Sequence, residues 1–126
     1  MRDWLDGINV GKMIMDQIKS GILGDDIHHY AMALTAAATD ARMSGCNLPV
    51  ICNSGSGNQG LAITLPIIAV AEKLGSNEEE LIRALALGHL VSVYIKQKIG
   101  ILSCICGCLS ASAGAASGIV LLLKGT

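Results

Sequence analysis

Asn77-Glu-Glu-Glu-Leu-Ile-Arg-Ala-Leu-Ala-Leu-Gly-His-Leu-Val-Ser-Val-Tyr-Ile-Lys-Gln-Lys98 decides the fold class. Ser76 or Asn77 stands where a helix N-cap belongs. Glu78, Glu79 and Glu80 lie on the positive end of the segment, and Lys96 and Lys98 on its negative end, the charge order that a helix dipole favours. Leu81, Leu85, Gly88, Val91 and Ile95 recur at helical spacing and form one apolar, close-contact stripe. The spacing predicts a long helix bounded by its own caps.

The same signals repeat upstream. Trp4, Leu5, Ile8, Met15 and Ile18 fall near helical spacing, with Gly21 or Gly24 as the stop. Asp25 or Asp26 caps a second helix that reaches about Met43, ends at Ser44-Gly45 and carries a small-residue face of Ile27, Ala31, Leu34, Ala38 and Ala41. A third is expected over residues 61–74, with Pro66 as a kink point and Gly75 just past its end. Downstream, residues 99–123 carry no charge, which raises the question of a membrane span. Glycine, serine and cysteine dilute that run, and the Ala111-x-x-x-Ala115 and Gly114-x-x-x-Gly118 spacings suit tight helix contacts, so a buried central helix broken near Gly107 is the reading adopted. This last segment is expected to be the most buried. No strand pattern recurs. The expected fold is all-α, a compact helical bundle in a single domain.

Composition narrows the class further. Of 126 residues, 52% are hydrophobic, only 2% are aromatic, and phenylalanine is absent, so the apolar mass is made of small and aliphatic side chains that let helices approach closely. A net charge of −1 with no basic cluster argues against nucleic-acid binding. The opening residues lack the pattern of a signal peptide, and with five cysteines that favours a cytoplasmic location over a disulfide scaffold.

Between two apolar stretches lies Asn53-Ser-Gly-Ser-Gly-Asn-Gln-Gly60. Glycines permit positive-φ turns that gather backbone N–H groups, and the run leads into a helix N-terminus, which attracts anions. Asn53, Ser54, Gly55, Ser56, Gly57, Asn58, Gln59 and Gly60 are therefore the expected binding residues for a small anionic or amino-acid ligand. Cys104-Ile-Cys106-Gly-Cys108 offers thiolates to a metal or, on composition alone, small buried thiols in a helix. Cys46 and Cys52 read as structural. His28-His29 point to different sides of a helix and read as a solvated face, whereas His89 reads as a partly buried, hydrogen-bonded core histidine without an assigned catalytic role. No P-loop, zincin or serine-hydrolase motif occurs.

Five stretches in order carry a resemblance: Thr39-Asp-Ala-Arg-Met-Ser-Gly45, Leu48-Pro-Val50, the Asn53 to Gly60 run, Arg83-Ala-Leu-Ala-Leu87 and Leu102-Ser-Cys-Ile-Cys-Gly107. Together they resemble the alpha domain of iron–sulfur-dependent L-serine dehydratases, and most of all the branch containing L-cysteine desulfidase. The resemblance implies a lyase without pyridoxal phosphate that converts a small β-substituted L-amino acid to pyruvate and ammonium, with sulfide when cysteine is the substrate. It implies a [4Fe–4S] cluster held by three cysteines, whose open iron acts as a Lewis acid on the β-substituent while a protein base takes the α-proton. Carried over by motif, the first cluster ligand falls on Cys106, with Cys104 and Cys108 as lesser candidates. The other two ligands would belong to a Cys-Asp-Gly-Ala-Lys-x-x-Cys motif that residues 1–126 do not contain. The expectation is thus a fragment, inactive and cluster-free alone, whose partners are a small amino-acid substrate, the rest of the parent chain and further copies in a homo-oligomer, with no nucleic acid and no membrane. A non-catalytic anion- or amino-acid-binding module is the alternative.

Overall fold

The computed structural model describes residues 7–100 and 103–125. Among them the order is α1 (Val10–Lys19), α2 (Ile27–Met43), α3 (Gly57–Leu74), α4 (Glu78–Ile99) and α5 (Gly107–Leu122), with no strand, so the chain is all-α as expected. Trp4, Leu5 and Leu102, used in the sequence reading, lie outside the described residues. No described helix is long and apolar enough to cross a membrane.

The chain divides into two compact units, Met1–Pro49 and Val50–Thr126. In the first, α1 and α2 pack together, and a Gly11 side chain would be excluded by Ala37. The Gly11 amide donates to Asp40 Oδ2 at 3.3 Å. Asp26 caps α2 by accepting from the His29 amide at 2.9 Å. That contact leads the causes that hold the Asp26 carboxyl below its usual range.

In the second unit α3, α4 and α5 pack pairwise. Asn77 accepts from the Glu80 amide at 2.9 Å while the Glu80 carboxylate accepts from the Asn77 amide at 3.2 Å, a reciprocal box that satisfies two otherwise unpartnered donors. The buried face of α4 is Ala84, Gly88, Ser92 and Lys96. The expected stripe of Leu81, Leu85, Val91 and Ile95 is only half-buried and flanks that face. The smaller residues take the centre because α5 comes too close for large ones. A Cβ placed on Gly88 would lie 3.0 Å from the Gly114 carbonyl oxygen and 2.8 Å from Ile67 Cδ1, and one on Gly114 would overlap the Gly88 carbonyl. Backbone therefore meets backbone at the α4–α5 crossing.

Two expectations are corrected here. α5 is not the most buried element; that is α3, whose Ile63, Ile67 and Ala69 are fully buried. Against α3 and α4, α5 buries the stripe of Ser110, Ala111, Gly114, Ala115 and Gly118, and it leaves Leu109, Val120 and Leu121 on an outer face. The second concerns α3, which starts four residues before the expected Leu61, because the Ser56 hydroxyl caps it by accepting from the Gln59 amide at 3.3 Å. The break expected near Gly107 is where α5 begins.

Gly114→Ala tests the crossing. The added methyl has backbone rather than a movable side chain in its way, so urea unfolding of the intact protein should show a loss of about 1–3 kcal/mol, against near neutrality for the exposed Ala116→Ser.

Candidate functional site

The Gly-rich run is a turn followed by a helix start. Asn53 and Ser56 exchange two backbone hydrogen bonds, Asn53 N–H to Ser56 O at 3.1 Å and Ser56 N–H to Asn53 O at 3.0 Å. Ser54 and Gly55 form the tip, both at positive φ (49° and 79°). These φ values match a type I′ turn, which favours Asn, Asp or Gly at its first central position. A serine there is a local strain, and such residues cluster at ligand sites. Gly57-Asn-Gln-Gly60 is then the first turn of α3 rather than part of a loop, which leaves the Gly57 amide at the helix's positive end.

Asn53 anchors the turn. It is 4% exposed, and every polar atom of its side chain is engaged with α4 or with the turn itself. Its Nδ2 donates to the His89 carbonyl at 3.3 Å and lies 3.1 Å from His89 Nδ1. Its Oδ1 accepts from Ser54 Oγ at 2.9 Å and from the fully buried Ser92 Oγ at 3.2 Å. On its other side His89 Nε2 lies 3.0 Å from Thr64 Oγ1 of α3. Burial pushes the His89 pKa below its ordinary value of 6.5, since the charged ring would lose solvation that no neighbour replaces.

Gln59 links this turn to the cysteines. Its side-chain amide occupies the space where a Cβ of Gly107 would stand, so the first turns of α3 and α5 are in contact. Gln59 Oε1 is buried and has no hydrogen-bond partner among the described residues. Cys106 is the N-cap residue of α5, next to Gly107. Its sulfur closes no regular cap hydrogen bond, yet the Cys108 amide is near enough to favour the thiolate. That amide, then the Cys108 thiol, hold Cys106 below the usual thiol range, and the Lys96 charge adds to the effect. The Cys108 thiol is pushed up in return, chiefly by its hydrogen bond to Cys106.

The structure thus brings the turn, Gln59 and Cys106 into one region. Cys104, Cys106 and Cys108 are exposed, which removes the reading of them as small buried thiols. Cys46 is half-buried in the first unit, and Cys52 is exposed. His28 is exposed and stacks edge to face on His29 at 5.3 Å, and His29 Nδ1 lies 3.0 Å from the exposed Asp26 Oδ2, so the pair sits on a solvated helix face as expected. Two features escaped the sequence reading. Lys96, assigned to the helix end, is 5% exposed and acts on Cys106. The buried role of Ser92 was also missed. Both lie at four-residue steps from Gly88, and that spacing was the available signal.

The family model for the serine dehydratase alpha chain matches residues 4–126. The chain belongs to that family. Curated relatives include a UPF0597 protein of Oleidesulfovibrio alaskensis, 50% identical over 119 residues, and one of Clostridioides difficile, 50% identical over 121 residues. A third, the UPF0597 protein of Bacteroides thetaiotaomicron, is 48% identical over 119 residues. These alignments cover 94%, 95% and 94% of this chain, but the chain spans only 28% of the length of each relative. No solved structure matches it.

Whether this serine dehydratase alpha chain segment fits an iron–sulfur cluster can be judged from its donors. An exposed, thiolate-favouring Cys106 at a helix N-terminus fits one ligand position. Among the described residues, however, no three His, Cys, Asp or Glu side chains group together to hold a metal. The fit is to one corner of a cluster and not to the whole.

Asn53→Ala would strand the buried Ser92 hydroxyl and leave His89 Nδ1 without its donor. One buried and one part-buried group left unpaired should cost about 1–4 kcal/mol in chemical denaturation of the intact protein. A loss under about 0.5 kcal/mol would mean that the turn is held by something else.

Proposed function

We propose that this chain forms one wall of a lyase active site that takes L-cysteine, or L-serine, to pyruvate and ammonium with release of sulfide or water. The observation that carries the reading is the packing of Gln59 on Gly107, which joins the first turns of α3 and α5 beside Cys106. Two helix N-termini turned to one region suit a substrate carboxylate, because their leading amides and dipoles both favour negative charge. The buried, unpartnered Gln59 Oε1 suits an N–H donor such as the substrate ammonium. A zwitterionic amino acid would thus meet acceptor and donors at its two ends.

In this reading the backbone of residues 54–60, with the side chains of Asn53, Asn58 and Gln59, binds and orients the substrate, and the strained Ser54 tip fixes where it sits. Elimination removes the α-proton and the β-substituent, and the resulting enamine is hydrolysed by water to pyruvate and ammonium. A [4Fe–4S] cluster, for which Cys106 would supply one thiolate, contributes Lewis acidity toward the β-substituent when bound. The Cys108 amide at the α5 N-terminus, then the Cys108 thiol and Lys96, favour the thiolate form of Cys106. The remaining ligands and the proton acceptor come from the rest of the parent chain. The family relationship supports the lyase class, and the choice of cysteine over serine rests on the resemblance of the Asn53 to Gly60 run.

The test uses the full-length protein, purified without oxygen and assayed for pyruvate and sulfide from L-cysteine and for pyruvate from L-serine. Cys106→Ser should lower turnover by more than the roughly 10–100-fold typical of losing an outer-shell partner, together with its iron content. Gly107→Ala, which displaces the Gln59 amide, should raise KM more than it lowers kcat. Unchanged turnover and iron in Cys106→Ser would exclude the ligand role. Calorimetric binding of L-cysteine by iron-free protein, without turnover in any preparation, would favour a binding module over an enzyme.

A further inference from the structure

The amide of Asn53 has one workable orientation. Its nitrogen faces the His89 carbonyl, which only accepts, and its oxygen takes two serine hydroxyls. The same nitrogen stands 3.1 Å from His89 Nδ1, so Nδ1 must be the acceptor and carry no proton. The neutral ring then bears its proton on Nε2 and donates it to Thr64 Oγ1 at 3.0 Å. Both ring nitrogens are therefore committed, one to the turn and one to α3. A ring held in this way is not available to take a substrate proton.

We propose that His89 is a positioning residue: as the Nε2–H tautomer it accepts from Asn53 and so sets the Ser54–Gly55 turn in the conformation that receives ligand. This rests on the reading above that the turn meets the substrate. The hold is sensitive to protonation. A proton on Nδ1 would face the Asn53 N–H group, donor against donor, and the clamp would open. The turn presents Asn53 to the ring and α3 presents Thr64, neither titratable. No charged group of the turn, α3, α4 or α5 contributes to the shift of His89, whose cause is burial alone. The unfolded ring binds its proton near 6.5 while the folded ring resists until lower pH. Stability from this site is thus complete above 6.5 and is lost as pH falls through the folded value.

Two substitutions separate the roles of the ring. His89→Asn places an oxygen acceptor near the position of Nδ1, whereas His89→Gln reaches toward Thr64 but offers Asn53 no acceptor there. In the full-length protein, hydrogen-exchange mass spectrometry should show protection of residues 54–57 within about threefold of wild type in His89→Asn, and a fall of about tenfold or more in His89→Gln. Wild-type protection should fall with acid below 6.5, and the His89→Asn profile should stay flat. For L-cysteine turnover, His89→Gln should raise KM with a smaller change in kcat, and His89→Asn should restore it. Equal loss in both variants, or a flat wild-type profile, overturns the proposal. Should His89→Gln fail to fold, nitrogen-15 NMR of histidine-labelled wild type decides: a protonated Nδ1 at neutral pH overturns the assignment and a protonated Nε2 supports it. Exchange and tautomer need no substrate, so a protein inert toward L-cysteine and L-serine would sink the lyase reading while leaving these readouts to judge His89.

Discussion

The second unit depends on the place where α4 and α5 touch backbone to backbone. Gly88 and Gly114 leave each other no room for a side chain, and Ile67 of α3 fills the groove beside them, against Gly88 and Gly118. Such an approach puts dispersion contacts along the length of both helices and favours small residues at the facing positions. It also places the side chains above the crossing. Ser92, one turn beyond Gly88, is buried because α5 passes so close, and there its hydroxyl meets Asn53.

From that contact the site follows. Asn53 ties the turn to α4, and His89 ties α4 to α3 through Thr64. Gln59, three residues after the Ser56 cap, packs on Gly107 and so sets the start of α5 and Cys106 beside the start of α3. The Asn53 and His89 links are buried or part-buried polar contacts whose loss would leave an unpaired group, which is why a turn of small residues can be held in one geometry. The cost is visible in the positive φ of Ser54 and in the unpartnered Gln59 Oε1. Both belong to the region proposed to receive ligand.

Much of this was legible in the chain. The capping box at Asn77 and Glu80, the Asp26 cap and the glycine after α3 mark helix ends by local chemistry, and local chemistry survives in any tertiary setting. Small-residue spacing in 111–118 announced close packing without naming the partner. Misjudged features depended on neighbours. The α3 start was placed late because glycine and asparagine are poor helix formers, and only the Ser56 cap and the packing of Gly57 and Gly60 outweigh that preference. α5 was expected to be the most buried because hydropathy cannot tell which faces of a segment its neighbours cover. The stripe on α4 was read on its large residues, whereas the space at the crossing admits only the small ones.

By itself the sequence determined an all-α chain, most of its helix ends, the Gly-rich run and the cysteine cluster as its chemically unusual segments, and a resemblance that the family match bears out. Those are properties of caps, spacings and motifs, each written within a few neighbouring residues. Tertiary structure alone decided that Gln59 meets Gly107, that Lys96 is buried and bears on Cys106, and that Asn53, His89, Ser92 and Thr64 form one network. Apart from Lys96 and Cys106, these contacts join residues 25 to 48 positions apart, across a helix crossing whose partners no local pattern names. Distance along the chain hides them, and the Gly88–Gly114 approach brings them together.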